Sequence, residues 1–289
     1  MSYNDRAIGI FDSGLGGLTV FKAVRKLLPE ENLIYFGDTA RVPYGTKSKE
    51  TVIAFSKEVA AYLLSKDIKL LVVACNTASS LALAEIRGIA DVPVIGVIEP
   101  GVNEAVGGRA VSAKRVLVIG TTATVNSRAY ALALKKKDKR VFSVEKACPM
   151  LVPLAEEGWC SGPIAALAVE KYLGPLRRKH FDTVILGCTH YPLLKKTISA
   201  ALGPGVRVVD SAMAAARSAK AELETAGLLR DPAVERTAGR GKGIGGASNL
   251  RQAGKGENEF VVSDAPEKFK ALALKLLKIR TGQIMVKRF

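Results

Sequence analysis

The chain has 289 residues, 48% hydrophobic and 24% charged, the composition of an ordinary globular protein long enough for about two domains. No apolar run reaches the roughly 18 residues that a membrane span needs, and the opening Met1-Ser-Tyr-Asn-Asp-Arg6 lacks a basic and then apolar leader, so a cytoplasmic protein is expected. Lys+Arg 43 against Asp+Glu 27 give a net charge of +16, which suits anionic substrates, acidic partners or nucleic acid without choosing among them.

Short apolar runs alternate with amphipathic stretches. Ala7–Phe11 predicts a strand, followed by a Gly-rich turn and a helix carrying Leu18, Phe21, Val24 and Leu28. Leu33–Phe36 is the next strand. Val52, Phe55, Val59 and Tyr62 recur at helical spacing. Ile68–Ala74 is nearly all apolar, as a strand buried on both faces is. A helix near 78–88 and a strand at Val92–Gly96 complete this half. The alternation predicts an α/β fold with a largely parallel sheet.

The pattern then restarts. Arg115–Gly120 predicts a strand, 125–136 a helix, and Val141–Val144 a strand. Pro149–Glu157 and Pro163–Leu173 read as helices, each with proline in its first turn. Thr183–Leu186 (strand), Tyr191–Leu202 (helix) and Val206–Val209 (strand) follow, then a long helix over Ser211–Leu228. Phe260–Val262 and a helix over Pro266–Leu277 close the chain. The segment 236–256 holds seven glycines and five basic residues with no acidic one, and reads as a flexible surface insertion. Its Gly241-Lys-Gly-Ile-Gly-Gly246 matches GxGxxG formally, but no strand precedes it, so composition explains it.

The halves look like copies. Asp12-Ser13 ends one strand and Cys75-Asn76-Thr77 follows another; Thr121 and Cys188-Thr189-His190 repeat that arrangement. Ligands of open α/β sheets bind outside the carboxyl ends of the strands, where both cysteines fall. The loop Asp12–Gly17 and the turn Gly120–Thr124 fall there too, with free backbone N–H groups and hydroxyls suited to a carboxylate. Cys148, Cys160 and His180 read as packing or surface residues. With no CxxC pair and two histidines in all, neither a metal site nor a disulfide framework is expected.

A core cysteine needs no polar company, whereas a thiol used as a base does. Asp12 and His190 are each placed to assist one thiol. Two thiols, each within about 3.5 Å of a substrate carbon on opposite faces, could remove a proton on one side and deliver one on the other. That chemistry inverts a stereocentre.

Five segments in order, Ile10–Leu18, Val42-Pro-Tyr-Gly45, Val73-Ala-Cys-Asn-Thr-Ala-Ser79, Ala147-Cys-Pro-Met-Leu-Val-Pro-Leu154 and Ile185-Leu-Gly-Cys-Thr-His-Tyr-Pro192, together resemble the cofactor-independent aspartate/glutamate racemase family, and its glutamate enzymes in particular. The resemblance runs over about 7–228 and resumes at about 259–277. It implies two pseudo-symmetric, doubly wound α/β domains with mostly parallel sheets and the active site in the cleft between them; 1–99 with 212–289 would form the first domain and 100–211 the second. It implies Cys75 and Cys188 as catalytic thiols, assisted by Asp12 and His190, with Glu156 an acidic residue near the second. It implies substrate contacts at Asp12, Ser13, Tyr44, Gly45, Asn76, Thr77, Thr189 and His190, with Thr121 and Thr124 as further candidates. The reaction would be interconversion of L- and D-glutamate without cofactor or metal, supplying peptidoglycan synthesis, often in a homodimer. The segment 236–256 departs from the family in being longer than the link expected there.

Two other readings compete. An aspartate racemase of the same family typically carries an acidic residue where this chain has His190. A basic nucleic-acid-binding protein would suit the charge, but aromatic residues are 6% of the chain and none lies in 236–256 to stack on bases. Because some members of the family it resembles modulate DNA gyrase, the resemblance leaves room for nucleic acid or DNA gyrase as a secondary partner, and no motif points to either.

Overall fold

The computed structural model describes residues 3–107, 114–231 and 255–289; most of the glycine-rich segment expected as an insertion lies outside them. Among the described residues two sheets form, and every strand pair is parallel. The first contains β1 (Ile8–Asp12), β2 (Leu33–Gly37), β3 (Leu70–Val73), β4 (Val94–Gly96), β9 (Asn258–Val262) and β10 (Ile284–Val286), in the order β10-β9-β2-β1-β3-β4. The second contains β5 (Arg115–Gly120), β6 (Phe142–Ala147), β7 (Thr183–Gly187) and β8 (Arg207–Asp210), in the order β6-β5-β7-β8. Apart from β9 and β10, both sheets repeat one order: second, first, third and fourth strand. The doubling expected from sequence is therefore a doubling of topology.

Parallel strands covered on both faces read as continuous apolar runs. In β1 and β3, Ile8, Ile10, Leu70 and Val72 face one core, whereas Phe11, Leu71 and Val73 face the other. That two-residue period delivers Cys75 to the same face as Val73. In β7 the same alternation puts Val184, Leu186 and Cys188 on one face and Ile185 on the other. Helices α1 (Leu18–Leu27) and α11 (Ser211–Ala226) cover one face of the first sheet; α2 (Lys49–Leu64), α3 (Asn76–Leu81) and α4 (Leu83–Ile89) cover the opposite face. Around the second sheet lie α5 (Ile98–Val106), α6 (Thr122–Asn126), α7 (Ala129–Lys137), α8 (Leu151–Glu156), α9 (Pro163–Leu173) and α10 (Lys195–Leu202).

Several expected helices are interrupted. The helix near 78–88 is two pieces, parted at Ala82; the one near 125–136 is parted at Arg128, whose φ of 58° lies in the left-handed region. Tyr191–Leu194, which contains Pro192, is a 3-10 turn before α10. The last expected helix is α12 (Pro266–Leu272) followed by a π turn. α11 stops at Gly227, where a φ of 66° and bonds from Gly227 N to Glu224 O and from Leu228 N to Leu223 O end the helix in a Schellman arrangement.

One buried group on the floor of the first sheet escaped the sequence reading. Lys69, fully buried, reaches Glu31 at 2.6 Å, Asn4 O at 2.6 Å and Leu228 O at 2.8 Å. Two hydrogen bonds and one ion pair thus converge on the ammonium, tying the chain beyond α11 to the strand ends. Removing either ion-pair partner would cost about 3–5 kcal/mol, because the other charge would remain buried alone.

Candidate active site

The carboxyl ends of β1, β3, β5 and β7 converge between the two sheets. Extending the parallel registers, by two residues in the first sheet and by one in the second, pairs Ser13 with Cys75 and Thr121 with Cys188. Ser13, rather than Asp12, is therefore the structural counterpart of Thr121. The cavity there is lined by Ser13, Tyr44, Gly45, Cys75, Asn76, Thr77, Thr121, Cys188, Thr189 and His190, with Val42, Pro43 and Val152 as its apolar wall. Asp12, Thr124 and Glu156 stand behind these residues and do not line it. Its void totals about 320 Å³, of which a water-sized sphere reaches about 20 Å³. The two lobes are closed on each other.

Cys75 caps α3, and its sulfur accepts from Ala78 N at 3.5 Å. The thiol donates to Ser13 Oγ at 3.5 Å. Burial, reinforced by the Asp12 charge, pushes its pKa up to about 12, against the pull of the Ala78 and Ser13 bonds. Asp12 makes no direct hydrogen bond to the thiol and acts on it through charge. Its carboxylate instead accepts from Gly14 N at 3.0 Å and Thr189 Oγ at 3.3 Å. Burial raises its pKa, opposed by the nearby His190 charge and these hydrogen bonds. The loop can wrap the carboxylate so closely because residue 17 is glycine: a Cβ there would stand 2.9 Å from Tyr35 Oη and closer still to Asp12.

Cys188 has a different neighbour. Its sulfur lies 3.8 Å from His190 Nδ1, and His190 Nε2 lies 3.2 Å from Glu156 Oε1. Burial alone would depress the imidazole pKa, but hydrogen bonds to Cys188 and Glu156, with their charges, push it up to about 10. The same bond to His190 lowers the Glu156 pKa against desolvation, helped by the His190 and Lys268 charges. Thiol, imidazole and carboxylate form a line in which the imidazole is held protonated beside the sulfur.

Hydroxyls and amides join the lobes. Thr77 Oγ lies 3.0 Å from Thr121 Oγ and 3.3 Å from Thr124 Oγ, and the last two are 3.0 Å apart. Thr19 Oγ donates across the cleft to Thr189 O at 3.2 Å. Asn76, 2% exposed, accepts from Tyr130 Oη at 2.6 Å, and its Nδ2 has no partner among the described residues. Gly45 packs so tightly on Thr121 that a Cβ would come 2.5 Å from the threonine's own. No lysine or arginine lines the cavity. An anionic ligand would meet neutral donors and His190.

Two residues near this site gave no signal in the sequence. Asp38, fully buried at the end of β2, accepts from Tyr44 Oη at 2.5 Å, Arg41 Nε at 2.7 Å and Ser263 Oγ at 2.7 Å. It holds the Val42–Gly45 loop over the cavity, and burial beside this carboxylate raises the Tyr44 pKa far above its ordinary value. Tyr130 is the other. Only the run Gly37-Asp38-Thr39 next to Val42–Gly45, and an aromatic inside an alanine-rich helix, could have marked them. Cys148 is buried, as expected of a packing residue, and Cys160 is half-buried; neither lines the cavity. Among the described residues no three His, Cys, Asp or Glu side chains cluster as metal ligands, and no helix is long and apolar enough to cross a membrane.

The family profile described as Asp/Glu/Hydantoin racemase matches residues 18–219. The chain is 47% identical to the glutamate racemase of Geobacter metallireducens over 279 residues, 96% of this chain and 95% of that one. Its structure resembles glutamate racemase from Francisella tularensis in complex with D-glutamate (TM-score 0.85, 35% identity, 98% of both chains). It also resembles glutamate racemase from Thermus thermophilus in complex with beta-chloro-D-alanine (TM-score 0.82, 42% identity, 99% of this chain and 98% of that one). An aspartate racemase homologue from Pyrococcus horikoshii, 20% identical with a TM-score of 0.56 over 76% of this chain and 99% of that one, shares the fold. With its doubled parallel sheets, its paired strand-end cysteines and a profile match across most of its length, the chain belongs to the aspartate/glutamate racemase family.

Proposed function

We propose that this protein is a glutamate racemase that interconverts L- and D-glutamate by a two-base transfer at the α-carbon. Cys188 takes the proton from L-glutamate and Cys75 from D-glutamate; in each direction the other thiol reprotonates the opposite face. The observation that supports this reading above all is the placement of two thiols, from matching strand ends of two like sheets, on one cavity. A single base would have to reach both faces of one planar carbanion. Charge developing on the substrate carboxylate is met by preorganised donors, which act strongly in a closed, water-poor site. Ser13, Asn76, Thr77, Thr121 and Thr189 provide side-chain donors there, and Tyr44–Gly45 shape the wall.

Burial and the Asp12 charge hold the Cys75 thiol protonated, whereas Cys188 faces the His190–Glu156 pair. We assign 1–99 with 212–289 to one domain and 100–211 to the other, with opening between them for substrate entry. Helix contacts support this division in part: α11 packs mainly on α1 and α5 mainly on α7, and α5 and α11 meet at the boundary. We further assign the protein to the cytoplasm, to supply of D-glutamate for peptidoglycan, and to a homodimer. Ile164 and Leu167, one turn apart on α9, expose apolar side chains suited to such a contact. Incubation of the purified protein with L-glutamate alone, followed by chiral chromatography, tests the activity. D-glutamate should accumulate to equal amounts of both enantiomers, with L-aspartate turned over far more slowly; equal specificity constants for the two amino acids would contradict the substrate assignment.

A further inference from the structure

Tyr130 belongs to α7 of the second lobe, yet its hydroxyl ends on the first residue of α3 in the first lobe. The ring is fully buried. It passes the end of β7 in a slot that Gly187 keeps open: a Cβ there would stand 3.1 Å from Tyr130 Cε2. At the end of that slot the hydroxyl donates to Asn76 Oδ1 at 2.6 Å. Burial, with the Cys188 and Glu145 charges, holds the phenol protonated, so it remains a donor.

A side-chain amide has two orientations, and its partners decide between them. With Oδ1 toward Tyr130, the phenol hydrogen has an acceptor, and Asn76, which lines the cavity, keeps its Nδ2 buried and without a partner among the described residues. Reversed, the amide would leave the buried phenol hydrogen unmatched and present an oxygen to the cavity, where a carboxylate would be repelled. We infer that Tyr130 is a positioning residue that fixes the Asn76 amide with its N–H groups toward a substrate carboxylate, and that it does so only while the two lobes are closed. Because the bond spans the cleft, opening breaks it and releases the amide; closing restores it. Donor presentation and closure are one event.

This inference rests on the glutamate racemase reading of the cavity. A cycle of Tyr130→Phe, Asn76→Ala and the double variant tests it through kcat and KM for L-glutamate. Phenylalanine keeps the ring in its slot but leaves Asn76 Oδ1 unmatched whenever Nδ2 faces substrate, so KM should rise about tenfold, with kcat changed less. Asn76→Ala should raise KM at least as much, and the double variant should match Asn76→Ala alone. Should Asn76→Ala fold poorly, Asn76→Leu, near-isosteric and without the amide, takes its place in the cycle. Multiplying effects in the double variant, or a Tyr130→Phe enzyme with wild-type KM, would overturn the positioning role. An Asn76 variant with wild-type KM would instead overturn the assignment of its amide to substrate, and the inference with it.

Discussion

Cys75 follows β3 and borders a serine hydroxyl, with a carboxylate acting on it through charge; Cys188, at the matching place after β7, borders an imidazole that is itself held by a carboxylate. Two copies of one topology have placed equivalent thiols, and the residues one and two positions away have made them unequal. After Cys75 come Asn76 and Thr77; after Cys188 come Thr189 and His190. The first half-site keeps its thiol protonated, with a pKa near 12. In the second, a cation faces the sulfur. The fold sets where a proton can leave and arrive, whereas the neighbouring side chains give the two thiols different surroundings. Because L- and D-glutamate are equal in energy, kcat/KM must be the same in both directions whatever this asymmetry. It can appear only in the separate kcat and KM values and in their dependence on pH.

The sharpest way to break the comparison is to remove either thiol. Serine is nearly isosteric but a far weaker base, so Cys75→Ser and Cys188→Ser should each lower kcat/KM by about 10³-fold or more. The double variant should lose little beyond either single one, as groups acting as a unit do. A serine variant that racemises at near wild-type rate would end the two-thiol account.

Next comes the difference between the assisting groups. His190→Asn should lower kcat/KM about 10²-fold and equally in both directions. His190 titrates near 10 in the folded protein, above its unfolded value of about 6.5. Its stabilisation is therefore complete below about pH 6.5 and is lost as pH rises through about 10. The wild-type melting temperature should fall between pH 7 and 10 more steeply than that of His190→Asn. Parallel curves would show that the imidazolium is not held by the fold.

A smaller effect separates Ser13 from its register partner. Ser13 touches the Cys75 sulfur, whereas Thr121 bonds the Thr77 and Thr124 hydroxyls and no thiol. Ser13→Ala should lower kcat by up to about tenfold, the loss of one hydrogen bond to the Cys75 thiol. Smallest is Cys160→Ser, a half-buried thiol away from the cavity. Its kcat/KM should stay within about twofold of wild type, as for substitutions outside special features. A large loss there would mean that the half-sites are not the only thiols in the chemistry.

Much of this was legible in the residues. The apolar runs at 70–73 and 183–187 declare strands buried on both faces, and a cysteine two residues after the first and one after the second, each with polar followers, declares a strand-end site. What stayed hidden depends on distant pairing. The 3-residue edge strand β10 carries two exposed side chains and no periodic signal. The breaks at Ala82 and Arg128 fall inside stretches whose apolar spacing continues across them. Asp38 reads as a turn residue until the fold brings Tyr44, Arg41 and Ser263 to its carboxylate. Asp12 reads as a partner for Cys75, but the loop through Gly14 and Gly17 turns its oxygens to backbone N–H groups and Thr189. Nothing local to Tyr130 says that its hydroxyl crosses to Asn76.

The central claim is that two different thiols serve the two faces of one carbon, and isotope uptake in deuterated water tests it most directly. Pure L-glutamate is given to the wild-type protein, and both enantiomers are separated and weighed by mass spectrometry within the first few per cent of conversion. The account predicts that nearly every D-glutamate molecule carries one deuterium, delivered by the exchanged Cys75 thiol, while the remaining L-glutamate stays unlabelled because Cys188 retains the proton it took. D-glutamate that is largely unlabelled would mean that one group carried the same proton from face to face, and would contradict the account.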